Sequence, residues 1–163
     1  MNILYTETRS LTAELFIFAG KCCSGLFLAW LTGCTMNAIH NEWQDLSIIT
    51  KSGDEVTYRI EVADNNISRM RGLMYRKNLP ADQGMLLDFN SERHVAIWMK
   101  NTYIPLDILF INADGVIIKI ARKAEPLSRK RIKSDLAVRA VLELNANQVM
   151  EHGIGVGDRV QYR

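Results

Sequence analysis

Ile97-Trp98-Met99-Lys100-Asn101-Thr102-Tyr103-Ile104-Pro105-Leu106-Asp107-Ile108-Leu109-Phe110-Ile111 decides the fold. Two apolar runs flank a polar corner. Residues 95–99 and residues 106–111 each read as a short buried strand. Pro105 has no N–H to give a ladder, so it stands just ahead of the second strand. Between the runs, Lys100, Asn101 and Thr102 bring an ammonium, an amide and a hydroxyl to the rim of a core. Asp107 then interrupts an apolar strand. A carboxylate there must reach water, a cation or several hydrogen-bond donors, because an unpaired buried charge is very costly.

Working outward, Asn112-Ala113-Asp114-Gly115 is hairpin chemistry, and residues 116–121 return as a strand. Upstream, residues 85–89 read as a buried strand, with residues 79–84 as a loop before it and residues 90–93 as a turn after it. Val56, Tyr58, Ile60 and Val62 alternate with polar residues, which predicts a half-buried strand paired as a hairpin with residues 46–49. Asp64-Asn65-Asn66 suits a helix start. Ile67, Met70, Leu73 and Met74 follow at helical spacing, so they are expected to share one face. Arg69 and Lys77 read as solvated. Arg71 and Arg76 lie beside Gly72, and a forked guanidinium there suits either an ion pair or a bound carboxylate or phosphate. Residues 137–144 form another strand, Asn145 is expected to cap a short helix over 146–152, and residues 159–162 close the domain as a strand.

The three cysteines, Cys22, Cys23 and Cys34, all precede this β-rich region, which excludes a disulfide framework or a cysteine metal site within it. His40, His94 and His152 have no ligand-like spacing, so no metal or cofactor is expected. A net charge of +2 does not by itself imply nucleic acid. Lys119, Arg122, Lys123, Arg129, Lys130, Arg131 and Lys133 form the most basic stretch, but no aromatic residues interleave to stack bases. Its plain reading is a solvated loop; its sharper one is a contact with an anionic membrane or cell-wall polymer.

Residues 22–33 are apolar or small, with Lys21 before them and Cys34 after. That is the pattern of a secretory signal. Leu31-Thr32-Gly33-Cys34 resembles the lipobox of bacterial lipoproteins, which implies acylation of Cys34. A membrane-spanning reading of residues 11–33 would bury Glu14 and Lys21, each at a cost of roughly 2.5–3.5 kcal/mol near a helix centre. The expected organisation is a signal over 1–33, lipidated Cys34 with a tether over 34–44, and one domain over 45–163. Thr35 rather than aspartate after the cysteine favours the outer membrane over the inner in Gram-negative sorting. The expected location is therefore the periplasmic face of the cell envelope.

Arg71-Gly72-Leu73-Met74-Tyr75-Arg76, Gly84-Met85-Leu86-Leu87, Trp98-Met99-Lys100-Asn101-Thr102, Pro105-Leu106-Asp107-Ile108-Leu109-Phe110-Ile111, Leu142-Glu143-Leu144 and Gly153-Ile154 to Gly157-Asp158 occur in this order. Together they resemble the domain-of-unknown-function 192 family, over roughly residues 45–163. The resemblance implies an exported or lipid-anchored protein with a compact, mainly β domain, an antiparallel β-sandwich or barrel-like sheet with one or two short α-helices. It carries over Arg71, Arg76, Lys100, Asn101, Thr102 and Asp107 as polar positions. Asn147 departs from the pattern, standing where glycine is expected.

The leading functional expectation is a binding module with a cationic, polar pocket for an anionic or carbohydrate-like ligand, such as a cell-wall fragment. Arg71 and Lys100 would neutralise the ligand, Asn101 orient it and Trp98 stack on it, with Arg76 and Thr102 as further candidates, although the plain reading of Trp98 is core. Asp107 would hold Arg76 or Lys100. One alternative is an envelope hydrolase using Asp107, alone or paired with Glu143, with the cations stabilising an oxyanion. The sequence has no Gly-x-Ser-x-Gly elbow for the commoner kind. The other alternative is an accessory protein that binds a second envelope protein.

Overall fold

The structure, a computed structural model, describes residues 43–162. The expected signal, Cys34 and nearly all of the tether lie outside those residues. Strands β1 (Trp43–Ile49) and β2 (Glu55–Ala63) pair as the expected antiparallel hairpin. Helix α1 (Asn66–Arg71) and a long loop then carry the chain across to β3 (Gln83–Arg93). β3 runs parallel to β2, with Ile60 opposite Gly84. Among the described residues this is the one departure from an antiparallel sheet, and it follows from the crossover, since parallel neighbours cannot be joined by a tight turn.

The other elements are β4 (Ala96–Ile97), β5 (Leu106–Ile111), β6 (Ile117–Ala124), β7 (Ile132–Lys133), β8 (Val138–Asn145), α2 (Gln148–Glu151) and β9 (Arg159–Tyr162). Seven strands form one sheet in the order β6-β5-β8-β3-β2-β1-β9, and β4 pairs with β7 separately. The two edges of the large sheet meet at one end. Val116 bridges Arg159, and Gly157 N–H donates to the Ile117 carbonyl at 2.7 Å. The result is a curled half-barrel, the barrel-like form of the expected mainly β domain.

β5 is buried on both faces, which is why it reads, Asp107 apart, as an apolar run. The pleat divides its side chains. Leu109 and Ile111 join Tyr58, Ile60, Leu86, Leu142 and Leu144 in one core. Leu106, Ile108 and Phe110 join Met85, Leu87 and Val141 in a second, which Leu73, Leu79, Met99 and Ile104 cover. Where the strands cross, Gly84 leaves no room: a Cβ there would lie 2.7 Å from Leu144 Cδ2 and 2.9 Å from the Glu143 carbonyl oxygen. Gly84→Ala is expected to cost about 2 kcal/mol, read as a lower denaturant midpoint, because a backbone oxygen cannot step aside as a side chain can.

Four local expectations are corrected. Ile67 and Met70 are 80% and 74% exposed rather than core-facing. α1 is only six residues long, with Asn65 capping its start, and Gly72 breaks the helical path at φ 47. Leu73 therefore reaches the core from a different direction. Residues 95–99 hold only the two-residue β4, not a core strand. Residues 90–93 continue β3 through an irregularity in its pairing with β8. Asn145 does not cap α2; its amide donates to the Leu79 carbonyl. Asn147 precedes α2 instead, at φ 81. Asparagine tolerates that left-handed conformation better than other non-glycine residues do, which accounts for its place where the family pattern has glycine.

Candidate functional site

The second core is roofed by two segments. Residues 69–75 lead out of α1, and residues 95–102 follow β4. They are tied together: Tyr75 N–H donates to the Asn101 carbonyl at 2.8 Å, and Asn101 Nδ2 donates to Tyr75 Oη at 2.7 Å. Tyr75 and Asn101 both have positive φ, at 65° and 57°. A third piece supports the bend from outside, with Met99 N–H on the Ser128 carbonyl and Leu127 N–H on the Thr102 carbonyl, each at 3.0 Å. Between the two segments lies an open hollow of about 820 Å³.

Its walls are apolar where Leu73, Leu87, Phe89 and Ile97 reach it, and its rim is cationic. Arg71 and Arg131 line it, and their guanidinium groups make no ion pair or hydrogen bond among the described residues. Lys100 Nζ sits 5.2 Å from the centroid of the Trp98 ring. Trp98 is 41% exposed, which corrects its plain reading as core: it is a platform on the hollow with a cation over it. Arg69 is already engaged, with the Asp88 carbonyl at 2.5 Å and Asn66 Oδ1 at 2.7 Å, and it lies over Phe89. Asn101 and Thr102 line the hollow as well, Thr102 buried and Asn101 half-buried.

Two expected site residues lie elsewhere. Arg76 grips Glu61 through both of its terminal nitrogens and does not line the hollow. Asp107 faces the first core, because it alternates with Ile108 along β5. Its two oxygens accept from Lys123 N–H at 2.9 Å and Val149 N–H at 3.1 Å. It holds neither Arg76 nor Lys100; it fastens the irregular start of the β5–β6 pairing and the beginning of α2. Tyr58 is close by, and its phenol is pushed up by burial first, then by Asp107 and Glu151. It stays protonated and donates to Gln148 Oε1 at 3.3 Å.

Glu143 lies on the other face. In β8 it pairs with Ile108 of β5 and Met85 of β3, so its side chain shares the second core's side. Asp107 pairs instead with Leu144. The two carboxylates are therefore on opposite faces of the sheet and cannot flank one glycosidic bond, which removes the paired-carboxylate arrangement. Glu143 is 5% exposed, lines the floor of the hollow and makes no hydrogen bond among the described residues. Gly72 lies beside it: a Cβ there would make an ordinary 3.7 Å contact with Glu143 Oε2, and it is the positive φ of 47 that calls for glycine. Burial pushes the Glu143 carboxyl up to about 7, with the Arg76 charge pulling the other way.

The profile of the DUF192 family, described as uncharacterized ACR, matches residues 47–162. The chain belongs to the DUF192 family. This DUF192 domain is similar to the crystal structure of a Sinorhizobium meliloti 1021 protein described as a candidate transcription regulator. The two share 42% identity over 77% of this chain and 97% of that one, with a TM-score of 0.75. It is also similar to a protein of unknown function from Novosphingobium aromaticivorans DSM 12444, at 32% identity over 72% of this chain and 83% of that one, with a TM-score of 0.69. No curated protein matches this chain significantly.

Sequence reasoning put Arg71, Trp98, Lys100, Asn101 and Thr102 on this DUF192 hollow. It missed Tyr75 and Arg131 there, and it assigned Glu143 only as a partner for Asp107. Strand parity was the signal for Glu143: in residues 141–144 it alternates with Leu142 and Leu144, and Val141, two residues away, is a core residue.

Proposed function

We propose that this DUF192 domain is a binding module of the cell envelope, tethered to the membrane through lipidated Cys34, whose hollow takes an acidic sugar. What carries the reading is the unpaired Arg71 and Arg131 on the same rim as the Lys100-capped face of Trp98. Free guanidinium groups at a rim favour a carboxylate or phosphate, and a forked donor set fixes its orientation. An exposed indole beside them offers an apolar face to a pyranose ring. The free guanidinium groups repel a cationic ligand and gain nothing from a neutral one, so the charge preference rests on them and the indole serves the ring.

N-acetylmuramic acid is the probe, with N-acetylglucosamine as the same amino sugar lacking the lactyl arm that bears the carboxylate. Calorimetric titration of the purified full chain in detergent is expected to show the acid binding about tenfold or more tightly than the neutral sugar, the equivalent of one charge-assisted hydrogen bond. Arg71→Ala and Lys100→Ala each erase that preference, and Trp98→Ala weakens both sugars. Equal affinity for the two sugars, or none for either, overturns the reading. The tether has its own check: a clickable fatty acid labels the wild type in cells and leaves Cys34→Ala unlabelled.

A further inference from the structure

We infer that Glu143 is the hydrogen-bond donor at the floor of the hollow, meeting as a neutral carboxylic acid an uncharged oxygen of the ligand, a hydroxyl or an N-acyl carbonyl. The inference rests on the acidic-sugar reading and adds to it the group that reads the ligand's inner end.

Burial of a polar side chain without a partner is rare in a folded domain, because it forfeits hydrogen bonds to water. Glu143 comes close to that: it is 5% exposed and has no hydrogen-bond partner among the described residues, and it faces a hollow rather than a packed wall. No fully buried side-chain nitrogen or oxygen lacks a partner among the described residues, so the Glu143 oxygens keep their access through the hollow. Gly72 lies beside one of them, where a Cβ would be 3.7 Å from Glu143 Oε2, an ordinary contact.

The neighbours settle the charge state. Across the sheet, Met85 on β3 and Ile108 on β5 sit beside Glu143 and present no charge. Glu61 on β2 lies one strand further, in register with Met85, and Arg76 holds it by both nitrogens. Arg76 is thereby shared with a carboxylate that it already pairs, and its pull on Glu143 loses to burial. The rim cations Arg71, Lys100 and Arg131 remain for the ligand's anionic group. A sugar acid would so be read at two ends, the carboxylate by the rim and a neutral oxygen by the floor.

The test is the affinity of the full chain for N-acetylmuramic acid from pH 5.5 to 8.5. The sugar's carboxylate stays ionised throughout. If only the protonated floor binds, affinity falls about tenfold for each pH unit above 7. Glu143→Gln, whose amide donates at every pH, is expected to bind with a flat profile over that range. Glu143→Leu fills the space without a donor and binds weakly throughout, with melting no lower than that of wild type as the control for folding. Wild-type binding that is flat with pH, or a Gln variant that keeps the wild-type slope, overturns this inference alone. No binding by the wild type at any pH overturns the acidic-sugar reading and this inference with it.

Discussion

Replacing Asp107 with alanine is expected to destabilise the domain by about 3 kcal/mol and to leave the affinity of the remaining folded protein for N-acetylmuramic acid unchanged. The figure follows from what is orphaned. The Asp107 oxygens accept from Lys123 N–H and Val149 N–H. The buried Val149 N–H left without a partner costs about 1–3 kcal/mol, and the Lys123 N–H, on an exposed residue, loses less because water can reach it. Lys123 has φ 50, a conformation costly for a non-glycine residue, and the Asp107 carboxylate is what rewards it. Asp107→Asn should fall between the alanine variant and wild type. Its single carbonyl oxygen can take one of the two N–H groups, while its own NH2 opposes the other. Urea unfolding monitored by tryptophan fluorescence measures the loss. An alanine variant with wild-type stability and abolished sugar binding would put Asp107 in the site and refute its placement against the first core.

That prediction also shows where the sequence misleads. A carboxylate inside an apolar strand satisfies the same requirement whether it meets a ligand, a cation or two backbone N–H groups, and composition does not distinguish them. Register does. Once β5 is laid against β8, Asp107 and Glu143 fall on opposite faces, and only the one that shares a side with Val141 can reach the hollow. The hairpin of β1 and β2, the β5–β6 turn at Asp114-Gly115 and the closing strand β9 were legible, because each depends on local alternation or turn chemistry. The parallel pairing of β2 with β3 was not, since nothing local marks a strand as the far end of a crossover.

The roof of the hollow was half legible for a related reason. Trp98 stands in an apolar run, so it read as core, but the strand around it holds only two residues, and the chain turns away at Trp98. The same short-element effect exposes Ile67 and Met70: a helix of six residues ends before its apolar stripe can be seated. Arg131 could not be told from its basic neighbours by sequence. It is the β4–β7 pairing, Ile97 opposite Ile132, that brings it to the rim. Lys119, in the same basic stretch, is drawn off by Asp135 at 2.6 Å.

Glu143→Gln should gain stability relative to wild type as pH rises. The folded-state carboxyl of Glu143 is raised to about 7 from an ordinary 4.5. A group raised in the folded state binds its proton more tightly there than in the unfolded chain. Its contribution is therefore complete below about 4.5, declines as pH climbs from there to 7, and is gone above 7, where wild type must carry a buried carboxylate or open. The span of 7 − 4.5, or 2.5 pH units, corresponds to about 3 kcal/mol. Glutamine has no proton to lose. The variant is expected to gain about 3 kcal/mol on wild type between pH 4 and pH 8, with the gap constant beyond. Other titrating groups, Asp88 with its Arg139 partner among them, are common to both proteins and cancel in the difference. Removing the one opposing charge tests the cause: Arg76→Met should push the Glu143 carboxyl higher still and extend the decline to higher pH. Parallel stability curves for wild type and Glu143→Gln would mean that Glu143 is an ordinary solvated carboxylate, and the floor of the hollow would then be anionic, with nothing to donate.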